Sequence, residues 1–478
     1  MKKYHLTKLS LAALLATASV VFAQAPAQAE IAPVAEPALS PAPAEVPVAT
    51  PVVAVPEVAP SVAVAEPAPV AKPEPAKAAS GTKISLYGFA QLNAVWEDGV
   101  KNVNANNWNL TAPGDSKNGG SRTLLNVNHT RFGINFSDSP TEEGTELSGK
   151  IEADFNNSAG RNNNGVATAT AVSAVSANST INSTGDTVKT TISSSSVSIA
   201  GSAFRIRHAY GQVKFGDLGL TILFGQTGNV FSPRDPSILS EGTMNYSGNI
   251  GSSRVPQIRL TQVLGPTEIA VAAVDDRGAT APVSPAFQGR LGLKIPAEWA
   301  DKKQNLEVGV SGHFANEKNT DIDTKNKSSV KLPKSWSANA DLNLPIIDIL
   351  GLSGEFFYGQ NLRNYANGSL GLTASALDPT KISEGDGVKS FGFWTNLSIK
   401  LPASLTLGGG LGMESIANDD DLKKGTIDSN MGIFGNLRYN FIPSAFVGVE
   451  YWRISTSYKD SDKEAINRIE LAFNYAFK

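Results

Sequence analysis

From residue 81 to 478 apolar side chains return at every second position, in segment after segment. Period two belongs to the β-strand, whose side chains point alternately to opposite faces. In Ile84–Trp96 the even positions are all apolar or small: Ile84, Leu86, Gly88, Ala90, Leu92, Ala94 and Trp96. That run of 13 residues exceeds the usual globular strand of about 5–6. It suits a tilted membrane-spanning strand, which needs about 9–11. Leu147–Phe155 alternates more sharply, with Ser148, Lys150, Glu152 and Asp154 on one face and no charge on the other.

The pattern yields sixteen candidate strands: 84–96, 123–137, 145–156, 203–214, 218–227, 254–264, 268–276, 286–295, 305–315, 335–344, 350–360, 388–400, 404–414, 429–441, 444–455 and 464–477. Short connections such as Gly216-Asp217, Pro402-Ala403 and Ile442-Pro443 alternate with long polar ones such as 97–122, 157–202, 228–253, 316–334, 361–387 and 415–428. An even strand count with short turns at one rim and long loops at the other predicts a 16-stranded antiparallel transmembrane β-barrel. Lipid cannot satisfy free backbone N–H and C=O groups, so strands in a membrane must close on themselves. A soluble β-sandwich array would show the same alternation and is the competing fold. The last strand places Ile469, Leu471, Phe473, Tyr475 and Phe477 on one face, opposite Arg468, Glu470 and Asn474.

The two ends of the chain differ in kind. Lys2, Lys3 and Lys8 precede an apolar stretch, Leu9–Phe22, with small residues at Val21-Phe22-Ala23 and again at Ala27-Gln28-Ala29. This is the pattern of a cleaved secretory signal peptide, 1–23. Its removal takes three lysines and no acid, moving the net charge from −3 to −6. Residues 24–80 hold 13 of the 27 prolines, among alanine and valine. Proline at that density stops both helix and sheet, so this stretch reads as an extended periplasmic linker of polyproline-II type. It is either a spacer touching the cell wall or a tail with no partner. The barrel domain is then 81–478.

Composition removes several function classes. There is no cysteine, hence no thiolate metal site, iron–sulfur cluster, cysteine nucleophile or disulfide. His5, His129, His208 and His313 share no metal-binding spacing. No cofactor is expected. The pI near 5.9 argues against nucleic acid. A barrel hydrolase would need a serine–histidine–acid set. Strand parity sends His208 to the lipid face and gives His129 and His313 no evident serine partner, so no enzyme is expected.

Several segments resemble bacterial outer-membrane porins, most closely the DcaP-like porins. They are Ser85–Ala94, Thr130–Ile134, Gly149–Phe155, Phe204–Gly211 and Phe224–Thr227, similar in order and spacing over about 84–265 and again in the last strand. The resemblance implies a homotrimer in the bacterial outer membrane, each barrel with its own pore and a third long loop folded inward. It also implies contact with lipid and lipopolysaccharide, and assembly through the aromatic-ended last strand by the barrel-assembly machinery. Lys478 follows the phenylalanine at which such strands usually stop. DcaP-like members often carry a helical segment before the barrel. This chain has the proline-rich stretch there, so nothing tied to that helix carries over.

Within that frame, parity aims Arg131, Lys150, Arg205, Arg207, Arg259, Arg290 and Arg438 into the lumen. Charge on the lipid face costs about 2–4 kcal/mol at the midplane. Arginines two apart on a strand form a ladder suited to carboxylate or phosphate, because the guanidinium fork binds two oxygens at once. Equally, they pair with lumen acids such as Glu152, Asp154, Glu307, Glu355, Glu450 and Glu470 and hold the wall together. The loop 228–253 supplies Arg234, Asp235 and Glu241 to a constriction. The expected function is a passive diffusion porin for small hydrophilic solutes, favouring anions and especially dicarboxylates. The alternative is a structural barrel tethered toward the cell wall. Asn418–Asp421 is an acidic loop tip, and Gly408–Gly410 reads as close packing within a strand rather than a phosphate loop.

Overall fold

The structure is a computed structural model. It describes residues 81–100, 120–141, 144–157, 166–170, 196–200, 203–239, 244, 247–275, 285–300, 304–316, 334–366, 368–383 and 386–478. The expected signal peptide and linker, 1–80, lie outside them.

Sixteen antiparallel staves form one closed sheet. In chain order they are β1 (Lys83–Val100), β2 (two segments, Gly120–Asn126 and Arg131–Ser137), β3 (Thr145–Asn157), β4 (Ala203–Phe215), β5 (Leu220–Gly228), β6 (Arg254–Leu264), β7 (Thr267–Val274) and β8 (Ala286–Pro296). They continue as β9 (Asn305–Asn316), β10 (Lys334–Ile347), β11 (Leu350–Gln360), β12 (Lys389–Leu401), β13 (Leu405–Ile416), β14 (Ile427–Ile442), β15 (Ala445–Tyr458) and β16 (Ser461–Phe477). Each pairs with its sequence neighbours, and β1 pairs with β16 from Gly88↔Phe477 to Glu97↔Arg468, closing the ring. A separate hairpin pairs Val166–Thr170 with Ser196–Ala200.

The outer face is the apolar one. Ile84, Leu86, Phe132, Ile134, Ile151, Phe224, Ile258, Val310, Phe356 and Phe473 are all exposed. Charged and polar groups such as Glu97, Glu152, Asp154, Asp341, Glu355, Glu450, Arg468 and Glu470 are buried inside. A chain whose exterior meets hydrocarbon inverts the soluble arrangement. The interior also holds apolar cores where loops fold into the lumen. The largest joins inward-facing Trp394, Phe434, Trp452, Ile454 and Ile466 to Met244, Leu370, Leu377 and Leu422 from loops.

Three local features depart from simple alternation. β2 is interrupted at Val127–Thr130, where a turn bonds the Thr130 N–H to the Val127 carbonyl. Four residues there face three on β1, since Asn93 pairs with Asn126 and Phe89 with Arg131. The extra residue lets both Asn126 and Arg131 face inward. β4 carries a bulge at Arg207: Glu152 pairs with His208 and Ala153 with Ile206, leaving Arg207 unmatched. Finally, the β15–β16 connection is only Lys459-Asp460. It is a short turn on the rim otherwise made of long loops. The strands simply continue outward, pairing as far as Tyr458↔Ser461.

Glycines under aromatic rings draw neighbouring strands together. At the closing seam a Cβ on Gly88 would lie 2.6 Å from the Phe477 ring and 2.4 Å from the Arg131 carbonyl oxygen. In the Gly408–Gly410 run a Cβ on Gly410 would press on the Phe434 ring at 2.7 Å, and one on Gly408 on Asn436 at 2.4 Å. Overpacking such a contact costs about 1–3 kcal/mol. Gly88→Leu should therefore lower the yield of refolded barrel, read as the fraction that migrates as folded species in unboiled electrophoresis. Leu86→Val, on the lipid face nearby, should leave that fraction unchanged.

Candidate functional site

Between β5 and β6, the described residues 229–239, 244 and 247–253 run inside the barrel. Side chains of the wall hold them by their backbone. The Val230 N–H donates to Gln288 on β8 (2.9 Å) and the Ser232 N–H to the Ser311 hydroxyl on β9 (3.3 Å). The Arg234 N–H donates to Glu355 on β11 (2.8 Å) and the Ser237 N–H to Asn396 on β12 (2.9 Å). The Leu239 N–H donates to Glu450 on β15 (2.7 Å), and Gln91 on β1 donates to the Leu239 carbonyl (3.3 Å). The loop thus follows the inner wall from β8 round to β1. Two buried carboxylates repeat one device. Glu355 also accepts from the Ser232 hydroxyl and Trp394 Nε1, and Glu450 from Asn436 and Trp452 Nε1.

Apolar contacts seat the same segment. Phe231 is fully buried, stacked on His313 with centroids 4.8 Å apart and edge-on to Tyr365 at 5.0 Å. His313 was expected to lack a serine partner. The β9–β10 register instead puts Ser337 directly across from it. Its Nδ1 lies 2.8 Å from the Ser337 hydroxyl and its Nε2 3.0 Å from that of Ser335. Both ring nitrogens are engaged by hydroxyls, and Phe231 and Tyr365 pack against the ring and against each other, so the histidine acts here as a fixed platform for Phe231.

The loop's own charges take different partners. Arg234 turns to the wall, with Nε 2.9 Å from Asp341 and a terminal nitrogen 3.0 Å from Glu307. Arg290 shares Asp341 (2.9 Å) and reaches Glu268 (3.4 Å). Asp235 lies on the exposed side of the loop, accepting from Ser252 (2.6 Å) and Asn249 (3.3 Å). Glu241 lies outside the described residues.

Across the lumen, β2, β3 and β4 carry the densest cationic group. Arg205 holds Asp154 in a two-pronged contact (2.9 and 2.6 Å). Arg207 bridges Glu152 (2.8 Å) and Asp154 (2.7 Å). Arg131 approaches Glu152 at 3.4 Å and lies over the Phe89 ring. Lys150 lies over the Tyr87 ring, 4.0 Å from Glu152, while Tyr87 donates to that carboxylate at 2.7 Å. Three guanidiniums therefore share two carboxylates. The arginine side chains keep different exposures, 36% for Arg205 against 9% for Arg207.

His208 belongs to this group, and its expected lipid-facing position is corrected. The bulge at Arg207 shifts the alternation by one, so two successive residues face inward. His208 then lies 3.8 Å from Glu152 and 2.9 Å from the Thr227 hydroxyl. Arg254, at the start of β6, is within electrostatic range of Arg131, Arg205, Arg207 and Asp235. Alternation along β6 taken alone would assign Arg254 to the lipid side with Ile258 and Leu260, but a strand's first residue need not keep the parity of those after it.

Two of the arginines expected to line the pore, Arg259 and Arg438, are held without a carboxylate contact among the described residues. Arg259 donates to Gln257 at 2.8 Å and to the Gly228 carbonyl. Arg438 donates to Asn440 (2.9 Å) and lies 4.0 Å over the Phe446 ring. At the outer rim Lys459 pairs with Asp420 (3.2 Å), and Lys381 donates to the Asp420 carbonyl (2.8 Å). Lysines thus meet the acidic tip.

Leaving a buried donor unsatisfied costs about 1–3 kcal/mol. Glu450→Ala strips the Leu239 N–H, Asn436 and Trp452 of their acceptor together. The refolded variant should lose its folded, unboiled band at a lower temperature, because the loop loses a fixing point toward the β1 end of its path. A transition at the parent protein's temperature would mean the apolar seats hold the loop unaided.

No protein-family model matches the chain, and no curated protein matches it. Solved structures do. The outer membrane channel DcaP of Acinetobacter baumannii superposes with a TM-score of 0.59 at 19% identity, covering 84% of this chain and 99% of that one. The anion-selective porin from Comamonas acidovorans gives 0.49 at 10% identity over 83% and 100% of the two chains. OmpF of Salmonella typhi in complex with daunomycin gives 0.49 at 11% over 83% and 98%. This chain therefore has the fold of the outer-membrane channel DcaP, a sixteen-stranded barrel.

Proposed function

We propose that this protein is a passive diffusion porin of the bacterial outer membrane, acting as a homotrimer and passing small hydrophilic solutes with a preference for anions. What carries the reading is the inward loop. It is pinned along β8–β15 and β1, and its Arg234, with Arg290 and Lys294 of the wall, is paired with Asp341, Glu307 and Glu268. Across from it, three guanidiniums share two carboxylates, with Lys150 and Arg254 beside them. Walls of one charge at a narrow point discriminate among ions. Distant acids on loops matter less, because screening acts over about 8 Å at physiological salt. The sequence adds the address: a signal peptide, and residues 24–80 as a periplasmic spacer. The last strand offers the barrel-assembly machinery its aromatic face.

Dicarboxylates are the solute class that fits best. Arg205 and Arg207 present their forks from neighbouring inward positions, and a solute with two carboxylates can engage both. Conductance of the refolded mature protein in planar bilayers tests the pore directly, and silence would sink it. Selectivity is tested by Arg205→Gln together with Arg207→Gln. This double variant should move the reversal potential in a salt gradient toward cations and weaken block by a short dicarboxylate. An unchanged reversal potential would show that Glu152 and Asp154 already neutralise both arginines, leaving a porin without this preference.

A further inference from the structure

Below the arginine group of β2–β4, toward the rim of short turns, the inner wall is hollow. Register sets the inward side chains of β1–β4 in rows that cross all four strands. One row is Ser85, Asn135, Lys150 and Tyr210, and the next toward the rim is Lys83, Ser137, Ser148 and Gln212. Serine is short, so three serines in adjoining positions leave open the space that arginines fill higher up. Lys83, Ser85, Asn135, Ser137, Ser148 and Tyr210 line a hollow of about 290 Å³. At about 3.3 Å per residue, Asn135 stands about 13 Å below Arg131 on the same strand.

Tyr87 roofs the hollow. Its ring lies across Gly133, where a Cβ would come within 2.6 Å of it, and its hydroxyl donates to Glu152 at 2.7 Å. Lys150 lies against that ring, its nitrogen 5.1 Å from the centroid. The acids bordering the hollow are engaged elsewhere. Glu152, above, is held by Arg131, Arg207 and Tyr87, and Glu146, below, pairs with Lys214 at 3.1 Å. Lys150 approaches Glu152 only at 4.0 Å, and among the described residues no carboxylate lies within ion-pair distance of Lys83. The Ser148 hydroxyl accepts from Gln212 at 3.0 Å, which leaves its own proton to donate. The hollow thus sets two ammonium groups among hydroxyls, an amide and a phenol.

We infer that this hollow is a binding station for small carboxylates that also carry several hydroxyl groups, the class of the sugar acids. Lys83 and Lys150 meet the carboxylate as point charges. Ser85, Asn135, Ser137 and Ser148 exchange hydrogen bonds with the hydroxyls, and the Tyr210 ring gives the solute's C–H groups an apolar surface. A plain dicarboxylate uses the lysines and leaves the hydroxyl-bearing wall idle. The inference rests on the pore reading above and adds to it a second station, beyond the arginines on the way to the periplasm.

The test uses the full mature chain refolded in detergent, with gluconate as the probe and binding read by isothermal titration calorimetry. Glucose supplies the hydroxyls without the charge, and acetate the charge without the hydroxyls. Gluconate should bind more tightly than either. Lys83→Gln should weaken gluconate binding by about tenfold. Ser85→Leu, which fills the hollow and alters no charge, should weaken it too, with unboiled electrophoresis showing that the barrel has formed. Equal binding of gluconate and acetate would overturn the inference, as would unchanged gluconate binding by the Lys83→Gln protein. So would loss of gluconate binding in the Arg205→Gln, Arg207→Gln protein alone, which would place the anion at the arginines. Bilayer recordings keep the two readings apart. A silent protein that binds gluconate loses the pore and keeps the station, and a conducting protein that does not bind it keeps the pore and loses the station.

Discussion

Hydrocarbon offers no partner for a peptide group, and this single fact organises the molecule. Every strand must find two neighbours, so the first must meet the last. The seam from Gly88↔Phe477 to Glu97↔Arg468 meets that demand. Closure separates an outside and an inside, and the pleat gives each residue to one or the other. The outer face then carries Ile134, Phe224 and Phe356, and the charges are driven inward. A charge sent inward into a confined space must in turn find acceptors or donors there. The dense pairing of Arg205, Arg207, Glu152 and Asp154 follows from that crowding.

The inward loop meets the same requirement by another route. Its backbone donors lie away from bulk water and have no strand to pair with. Wall side chains therefore do what a neighbouring strand would do, as Glu355 and Glu450 each take a loop N–H and a tryptophan N–H. Mechanical fixing and charge pairing fall to different acids: Glu355 and Glu450 accept neutral N–H donors from the loop, while Asp341 and Glu307 take its arginine.

Much of this was legible in the sequence because alternation is a local signal. All sixteen staves fall where period two puts them, with the ends of several extended by a few residues. What alternation could not show were the places where it is broken. A four-residue turn divides β2, and the bulge in β4 brings His208 inside. Such insertions change parity without changing composition. Partners across strands were equally hidden, because register is set by turn length and bulges together. Ser337 meets His313 only through the β9–β10 register. The ion pairs of Arg205 and Arg207 with Asp154 and Glu152 also appear only in three dimensions, because they cross from one strand to the next.

The bulge has a consequence for how such a strand can change over generations. Arg207 is the surplus residue: Ile206 and His208 already pair with successive residues of β3. Losing its codon would leave a regular strand in which Arg205, His208, Tyr210 and Lys214 still face the lumen and Ile206, Ala209 and Val213 still face lipid. Gaining it inserts a cation into the wall without displacing any outward side chain. A one-codon insertion in a strand is ordinarily ruinous, since it turns every later residue to the wrong face. Here it is a reversible unit of variation, a single triplet by which the charge of the lumen can be raised or lowered while the lipid-facing surface stays as it was.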